Sequence, residues 1–166
     1  KFEEHDRPLS SKEIVYGGYM TKDQWEEIAD ISLKLFKRGQ EIALSKGLIL
    51  VDCKYEFGLT PEGEIMLIDE IHTPDSSRYW QAKTYEERIK NGLEPENFDK
   101  EFLRLWFKEN CDPYKDEKLP EAPADLVEEL SRRYMQIYEQ ITGIPFKIES
   151  EDIGKRIEKN LEKYAI

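Results

Sequence analysis

The sequence predicts a single α+β domain in which a short antiparallel hairpin packs against several helices. Apolar residues recur at alternating steps of three and four from Trp25 to Ile42, which is the spacing of one face of an amphipathic helix. A strand pattern follows, because an apolar run at 48–51 leads into strict alternation of polar and apolar residues up to Phe57. The 166 residues are enough for one domain with a hydrophobic core.

Local signals mark both ends of the first long helix. Thr21 with Gln24 three residues later fits a capping box, and Gly47 marks the end of the helix. Residues 1–20 contain Pro8 and a glycine pair, and this segment is predicted to be mostly irregular.

Two strands joined by a tight turn are predicted after this helix. The first strand runs over 48–57, the turn over 60–63 and the second strand over 64–71. On the first strand the charged residues point one way, and the residues between them point the other way. The sequence therefore predicts a hairpin with one charged face.

Carboxylates gather on this hairpin. A two-residue loop at Glu62-Gly63 would set Glu56 opposite Asp69, and such a pair of like charges is destabilising unless a cation neutralises it. Two carboxylates on neighbouring strands are a common way to hold Mg²⁺. A three-residue loop with a bulge at Gly63 would instead place Asp69 on the other face. The alternative without metal is a solvated face on which Lys54 pairs with one of these acids.

A polar loop with the sequence TPDSSR follows at 73–78. It offers hydroxyl donors, one carboxylate and the guanidinium of Arg78, which suits bidentate contact with carboxylate or phosphate. The alternative is an ordinary turn that caps a helix. His72 precedes the loop and is predicted to pack or form hydrogen bonds rather than act as a base.

The remainder of the chain is predicted to be mainly helical after Trp80. Aromatic residues at helical spacing occupy 98–107, and a further helix ends near Thr142, where Gly143 follows. The charged tail at 151–164 is predicted to form a short helix.

Charge and composition exclude several classes of protein. The formal net charge of -11 argues against nonspecific binding to nucleic acid or anionic membranes, because the field of the protein repels phosphates. The sequence has no apolar run close to the roughly 20 residues that span a bilayer, and it shows no signal peptide. Cys53 and Cys111 have no framework spacing and fit a reduced, cytoplasmic protein.

Two long motifs resemble the paired motifs of the SAICAR synthetase family. They are DCKYEFG at 52–58 and DEIHTPDSSRYW at 69–80. The segments EEHDRPLS, GLILVDCK, FDKEFLRLW and YEQITGIPF resemble further family segments in the same order. The resemblance covers roughly 1–146, which is expected to form one catalytic lobe, and 147–166 is expected to be a helical carboxy-terminal extension.

The resemblance implies an ATP-dependent ligase of purine biosynthesis. Members of the family join 5-aminoimidazole ribonucleotide carboxylate (CAIR) to L-aspartate through an acyl phosphate, with ATP and Mg²⁺ as cofactors. The implied fold is ATP-grasp-like, with an active site between two lobes. The amino-terminal lobe has no counterpart in this sequence, and Lys1 is not an initiator Met, so we expect a carboxy-terminal fragment that needs that lobe as a partner and does not turn over alone.

The resemblance also implies roles for particular residues. Glu56 and Asp69 are expected to hold Mg²⁺ and the ATP phosphates. Lys54, Asp75 and Arg78 are expected to take part in catalysis. The further expected substrate contacts are Asp6, Asp52, Ser76, Ser77, Lys100 and Arg104.

Two other functions stay open at this point. One is a carboxylate–amine ligase with the same scaffold and a different substrate. The other is a noncatalytic acidic interaction module, in which the hairpin carboxylates only keep the surface soluble. A homo-oligomer is compatible with either, and the tail is then a packing or dimer helix or a frayed charged terminus.

Overall fold

A computed structural model describes residues 7–98, 100–112, 115–148 and 150–164. The elements within these ranges are helices and two separate two-stranded antiparallel sheets. The strands are β1 (Leu48–Cys53), β2 (Glu56–Leu59), β3 (Ile65–Ile68) and β4 (Ser77–Gln81). The helices are α1 (Ser11–Tyr16), α2 (Lys22–Ser45), α3 (Ala82–Lys90), α4 (Glu101–Asn110), α5 (Ala124–Thr142) and α6 (Ile153–Leu161), with a 3-10 turn at Glu162–Tyr164.

The core lies where α2 and α5 meet the sheet formed by β1 and β4. Leu48 and Leu50 alternate along β1 and are almost completely buried, as the apolar run at this strand predicts. The buried apolar side chains are Ala43, Leu48, Leu50, Tyr79, Phe98 and Ile137. Members of this cluster come from four different elements and the segment before α4. The core therefore holds in place the sheet of β1 and β4, into which the polar loop leads.

Helix α2 confirms the predicted amphipathic helix. Thr21 and Gln24 form the capping box, with the Gln24 N–H donating to Thr21 Oγ1 at 3.2 Å and the Thr21 N–H donating to Gln24 Oε1 at 2.9 Å. Gly39 and Ala43 are the buried positions of the helix. Ile42, which belongs to the predicted apolar stripe, is 40% exposed.

Helix α1 lies inside the segment predicted to be mostly irregular, and that prediction is wrong for 11–16. Ser10 caps the helix and forms a capping box with Glu13, in which the Ser10 N–H donates to Glu13 Oε2 at 2.8 Å. The sequence SSKE carries this signal, but the short helix has no apolar stripe long enough to reveal it.

The predicted hairpin is divided between two sheets. The chain leaves the strand conformation at Lys54 and Tyr55, so the single strand predicted over 48–57 is wrong. Strand β1 pairs with β4, while only β2 and β3 form the hairpin. The last two residues of the predicted polar loop, Ser77 and Arg78, therefore lie in strand β4.

The hairpin register also differs from the one that sets Glu56 opposite Asp69. Glu56 pairs with Ile68, and the loop at 61–63 contains three residues because the Thr60 N–H donates to the Glu64 carbonyl at 2.9 Å. Gly63 adopts the left-handed conformation this loop requires, with φ at 86°. Asp69 lies beyond the end of β3 with φ at 66°.

The carboxy-terminal half confirms the predicted helices. Helix α5 ends at Thr142, and Gly143 follows in the left-handed conformation with φ at 72°. Arg133 of α5 joins this helix to the segment before α4, because its Nη1 donates to Asn97 Oδ1 at 2.8 Å and its guanidinium lies 4.3 Å from the centre of the Phe102 ring. No helix among the described residues has the length and apolar character needed to cross a membrane.

Candidate functional site

A polar cavity of about 330 Å³ lies where the end of β1 meets the beginning of β4. Seven of its eight lining residues are site residues predicted from the sequence, and the eighth is Pro74. The predicted members are Asp52, Asp75, Ser76, Ser77, Arg78, Lys100 and Arg104. The structure therefore brings together residues from β1, the polar loop, β4 and α4.

The pairing of β1 with β4 sets Asp52 opposite Arg78. A register shift between Leu50 and Asp52 accompanies this pairing. Arg78 Nε donates to Asp52 Oδ2 at 2.8 Å, and Arg78 Nη2 contacts the same oxygen. Hydrogen bonding by Arg78 holds the pKa of the Asp52 carboxyl below its usual range, so Asp52 is charged at neutral pH.

The serines of the loop are held by main-chain contacts. The Lys54 N–H donates to the Ser76 carbonyl at 3.1 Å, which attaches the loop to the end of β1. The Ser76 N–H donates to Thr73 Oγ1 at 3.3 Å, and this bond closes the turn. Ser77 is buried, and its hydroxyl lies 3.4 Å from the Ser76 hydroxyl. Two neighbouring hydroxyl groups therefore line the cavity.

Helix α4 contributes two cations to the cavity. Lys100 stands at the amino-terminal cap of the helix, and Arg104 follows four residues later on the same face. Lys100 Nζ forms an ion pair with Asp75, whose side chain is 55% exposed. Exposed ion pairs contribute little to stability, so this contact can open when a ligand offers a better partner.

The cavity carries an excess of positive charge within an acidic protein. It contains three cationic side chains and two carboxylates, while the chain as a whole has a formal net charge of -11. A local cluster of this kind attracts an anionic group that the rest of the surface repels. The hydroxyls of Ser76 and Ser77 add donors that suit phosphate or carboxylate oxygens.

The other predicted site residues do not line this cavity. Lys54 pairs with Glu56, which is the contact expected in the interpretation of the hairpin as a solvated face. Asp69 is exposed beyond β3, and Asp6 lies outside the described residues. No group of three or more His, Cys, Asp or Glu side chains in the described ranges could hold a metal ion. The assignment of Glu56 and Asp69 to Mg²⁺ stays a prediction.

Sequence reasoning missed the residues that hold the start of the polar loop in place through contacts with His72. His72 forms hydrogen bonds with Tyr55 and Tyr79, and its ring rests against Gly39 of α2. Burial lowers the pKa of His72, which agrees with its predicted role as a packing and hydrogen-bonding residue rather than a base. Strand alternation was the available signal for Tyr55 and Tyr79, but no local pattern links either of them to His72.

An apolar groove lies next to the polar cavity. Its volume is about 710 Å³, and it is lined by one face of α5, by Phe146 and Ile148, and by Pro74, which also lines the polar cavity. The apolar positions of α5 predicted a helix but gave no indication of a groove.

Comparison with known proteins gives a consistent match. The sequence model of the family described as SAICAR synthetase matches residues 1–121. The chain is 56% identical over 162 residues to a phosphoribosylaminoimidazole-succinocarboxamide synthase of Legionella pneumophila, and the match covers 96% of this chain and 52% of that relative. A chloroplastic enzyme of the same name from Arabidopsis thaliana is 59% identical and is covered over 39% of its length. The chain thus spans about half the length of the curated relatives it matches.

Solved structures agree with the sequence matches. A SAICAR synthetase in complex with ADP aligns with a TM-score of 0.60 and 29% identity, over 85% of this chain and 47% of that protein. The SAICAR synthase of Saccharomyces cerevisiae complexed with SAICAR aligns with a TM-score of 0.61 and 32% identity, over 76% of this chain and 41% of that protein.

Proposed function

Because the chain belongs to the SAICAR synthetase family, we propose that it forms one side of the active site of an ATP-dependent ligase that joins CAIR to L-aspartate. The observation that carries this proposal is the polar cavity, whose eight lining residues all lie in segments that resemble the family. The ADP and SAICAR complexes of the solved relatives support nucleotide and product binding by proteins of this fold.

The basic face of α4 is proposed to bind the phosphate of the ribonucleotide. Lys100 and Arg104 supply positive charge from one helix face, and the loop hydroxyls lie in the same cavity. Charge-assisted hydrogen bonds to phosphate are stronger than neutral ones. Lys100 would exchange its exposed partner Asp75 for the phosphate, because little stability is lost when that ion pair opens.

Asp75 is proposed to accept a hydrogen bond from the amine of L-aspartate once Lys100 has exchanged Asp75 for the phosphate. Asp52 is the weaker candidate, since Arg78 already occupies one of its oxygens at 2.8 Å.

In the proposed reaction a carboxylate oxygen of CAIR takes the γ-phosphoryl group of ATP and ADP leaves. The amine nitrogen of L-aspartate then attacks the acyl carbon, inorganic phosphate leaves and an amide bond forms. The residues position the reactants and balance charge, and no side chain is covalently modified.

Glu56 and Asp69 are proposed to hold Mg²⁺ near the ATP phosphates, as the family resemblance implies. They do not face each other across the hairpin, because Glu56 pairs with Ile68 and Asp69 lies beyond the end of β3. Carboxylate oxygens are the ligands this ion prefers, and it usually keeps several waters besides one or two carboxylates. Bound Mg²⁺ would neutralise phosphate charge. Lys54, which pairs with Glu56, would then be released to take part in catalysis.

The wider architecture is also proposed. Residues 1–146 would form a lobe of an ATP-grasp-like enzyme that closes against a second lobe, and 147–166 would be an extension containing α6. The second lobe belongs to the part of the relatives that this chain does not match. Cys53 and Cys111 are free, which fits a reducing compartment such as the cytoplasm.

Calorimetric titration of the chain with CAIR tests the proposal. Lys100→Ala and Arg104→Ala should each weaken binding about tenfold, since a hydrogen bond to a charged group contributes roughly 1.5–3 kcal/mol. Lys108→Ala is the matched control, because Lys108 is an exposed cation of the same helix that does not line the cavity. Equal effects at all three positions, or no binding by the unmodified chain, would refute a ribonucleotide site in this cavity.

A further inference from the structure

His72 is held from three sides at the point where the chain enters the polar loop. The Tyr55 hydroxyl and His72 Nε2 form a hydrogen bond of 2.7 Å, and the two rings meet edge to face with their centres 5.6 Å apart. The Tyr79 hydroxyl donates to the His72 carbonyl at 2.5 Å. We call Gly39, Tyr55, His72 and Tyr79 the His72 clamp.

Gly39 provides the third side of the clamp. A Cβ atom at this position would lie 2.4 Å from His72 Cε1 and 2.7 Å from Leu50 Cδ2, which are closer than real contacts of this kind. Leu50 is in the core and cannot move away freely. Helix α2 therefore accepts the His72 ring only because residue 39 has no side chain.

The backbone of His72 shows why a clamp is needed. Its φ is 56°, in the left-handed region that residues other than glycine seldom adopt. Such a conformation persists where the surrounding structure holds it. Rotation at this residue would swing the following loop, so the contacts that hold φ also set the direction in which 73–76 continues towards β4.

The hydrogen-bonding groups of the clamp are neutral near pH 7. Burial raises the pKa of Tyr79 to about 12 and also raises the pKa of Tyr55. Burial lowers the pKa of His72. Both phenols therefore keep their protons near pH 7.

The turn at 73–76 is closed by contacts of 3.3–3.4 Å between Thr73 and Ser76. Asp75 is exposed and forms an ion pair with Lys100, and Thr73 bonds to Glu70. The segment is attached to buried elements at His72 and where the Lys54 N–H donates to the Ser76 carbonyl. The first attachment involves none of the residues that line the cavity.

We propose that His72 is a positioning residue that, through the clamp with Gly39, Tyr55 and Tyr79, holds the loop segment 73–76 in the orientation that presents Asp75 and Ser76 to substrate, while Ser77 and Arg78 are held by the pairing of β4 with β1. The proposal rests on the proposed function for its substrate. The positioning itself can be measured without any ligand.

Amide hydrogen exchange of the full chain tests the positioning directly. Tyr55→Phe removes one hydroxyl and should speed exchange at Ser76 about fivefold, since a neutral hydrogen bond contributes roughly 1 kcal/mol. Exchange in the hairpin of β2 and β3 should stay unchanged. Tyr16→Phe on α1, where the residue is 87% exposed, is the matched control. Unchanged exchange at Ser76 in the Tyr55→Phe variant would overturn the proposal.

A size-compensating pair separates the clamp from general damage to α2. Gly39→Ala should speed loop exchange by displacing the His72 ring, while the smaller His72→Asn tolerates the left-handed backbone. In the double variant Gly39→Ala should speed exchange at Ser76 no further than His72→Asn alone does, although the contact of residue 39 with Leu50 still lowers the free energy of unfolding. Additive effects on exchange at Ser76 would contradict a contact between residues 39 and 72 as the cause.

Titration with CAIR then links the clamp to the site. Tyr55→Phe should weaken binding about fivefold, in step with faster loop exchange, for the same hydrogen-bond contribution. If the unmodified chain binds no CAIR, the proposed function fails while the exchange data still decide the positioning. If it binds CAIR and Tyr55→Phe speeds exchange without weakening binding, the loop is held by the clamp but its orientation does not serve this ligand, and the proposal is wrong.

Discussion

Single residues of the cavity combine structural contacts with proposed binding roles. Asp52 and Arg78 pair across β1 and β4, so the guanidinium that faces the cavity is already oriented before any ligand arrives. Preorganised charge is more effective for binding and catalysis than charge that must be ordered at the time of binding. The acid that orients Arg78 is therefore as much part of the site as Arg78 itself.

Asp52→Asn should reduce stability in a pH-dependent way. We expect a loss of about 0.2–1 kcal/mol near neutral pH, the range for partly exposed ion pairs. Arg78 lowers the pKa of Asp52 in the folded state, so this stabilisation is present above the unfolded value of about 3.9. It is lost as the pH falls through the lower folded-state pKa. Urea unfolding of both proteins should show curves that converge in acid, and a difference that grows in acid would contradict the assignment.

Arg78→Lys should keep the charge but lose the two-atom contact with Asp52. Lysine cannot reproduce the planar fork of arginine. We predict about tenfold weaker CAIR binding, which corresponds to roughly 1.4 kcal/mol, with little change in thermal stability. Arg132→Lys on α5 is a suitable control, because Arg132 pairs with Glu129 away from the cavity. Binding that is indifferent to both changes would remove Arg78 from the site.

At the scale of elements, the predictions that succeeded rest on local signals. The capping box at Thr21 and the glycine after Thr142 define helix ends because the groups that satisfy the helix termini lie nearby in sequence. The partner of β1 could not be predicted in this way, since its pairing with β4 depends on contacts across the polar loop. The His72 clamp was missed for the same reason, because its contacts join residues from separate segments of the chain.

The hairpin shows how one residue of loop length changes a functional inference. Two-residue and three-residue loops both suit the sequence Pro-Glu-Gly, but they place Asp69 on different faces. The structure has the three-residue loop, so the facing pair of Glu56 and Asp69 does not form. The residues expected in the polar loop and on α4 do not depend on this register, so the three-residue loop leaves them together in the cavity.

Gly63→Ala tests the loop that sets this register. Gly63 has φ at 86°, so a side chain there should reduce the free energy of unfolding by about 1 kcal/mol. Gly63→Asn is the matched control, because asparagine tolerates the left-handed region better, and it should cost less. Denaturant unfolding measures both. Equal losses for the two variants would show that the backbone conformation is not what glycine supplies here.

At the scale of the whole molecule, an acidic chain has a small cationic cavity at the end of one sheet. The surface field repels phosphates, and Lys100, Arg104 and Arg78 with their neighbouring hydroxyls reverse it locally. Relatives that match this chain are about twice its length. The cavity is open, so we propose that the unmatched part of such a protein closes over it and its substrates.

Turnover should therefore need more than this chain. We predict that the 166 residues alone release no ADP in the presence of ATP, CAIR and L-aspartate, because one lobe cannot align the γ-phosphoryl group of ATP with the CAIR carboxylate. A coupled assay for ADP measures this, with the Legionella pneumophila relative as the positive control. Steady ADP release by the chain alone would show that the second lobe is unnecessary.

The most direct test of the proposed ligase side is to replace the matched region of the Legionella pneumophila relative with this chain and to measure ADP release. The chimera is predicted to release ADP only when both CAIR and L-aspartate are present, to lose that activity in the Arg78→Ala variant and to keep it in the Arg132→Ala variant. A folded chimera that is inactive, that accepts another amine equally well, or that is indifferent to Arg78→Ala would contradict the proposal.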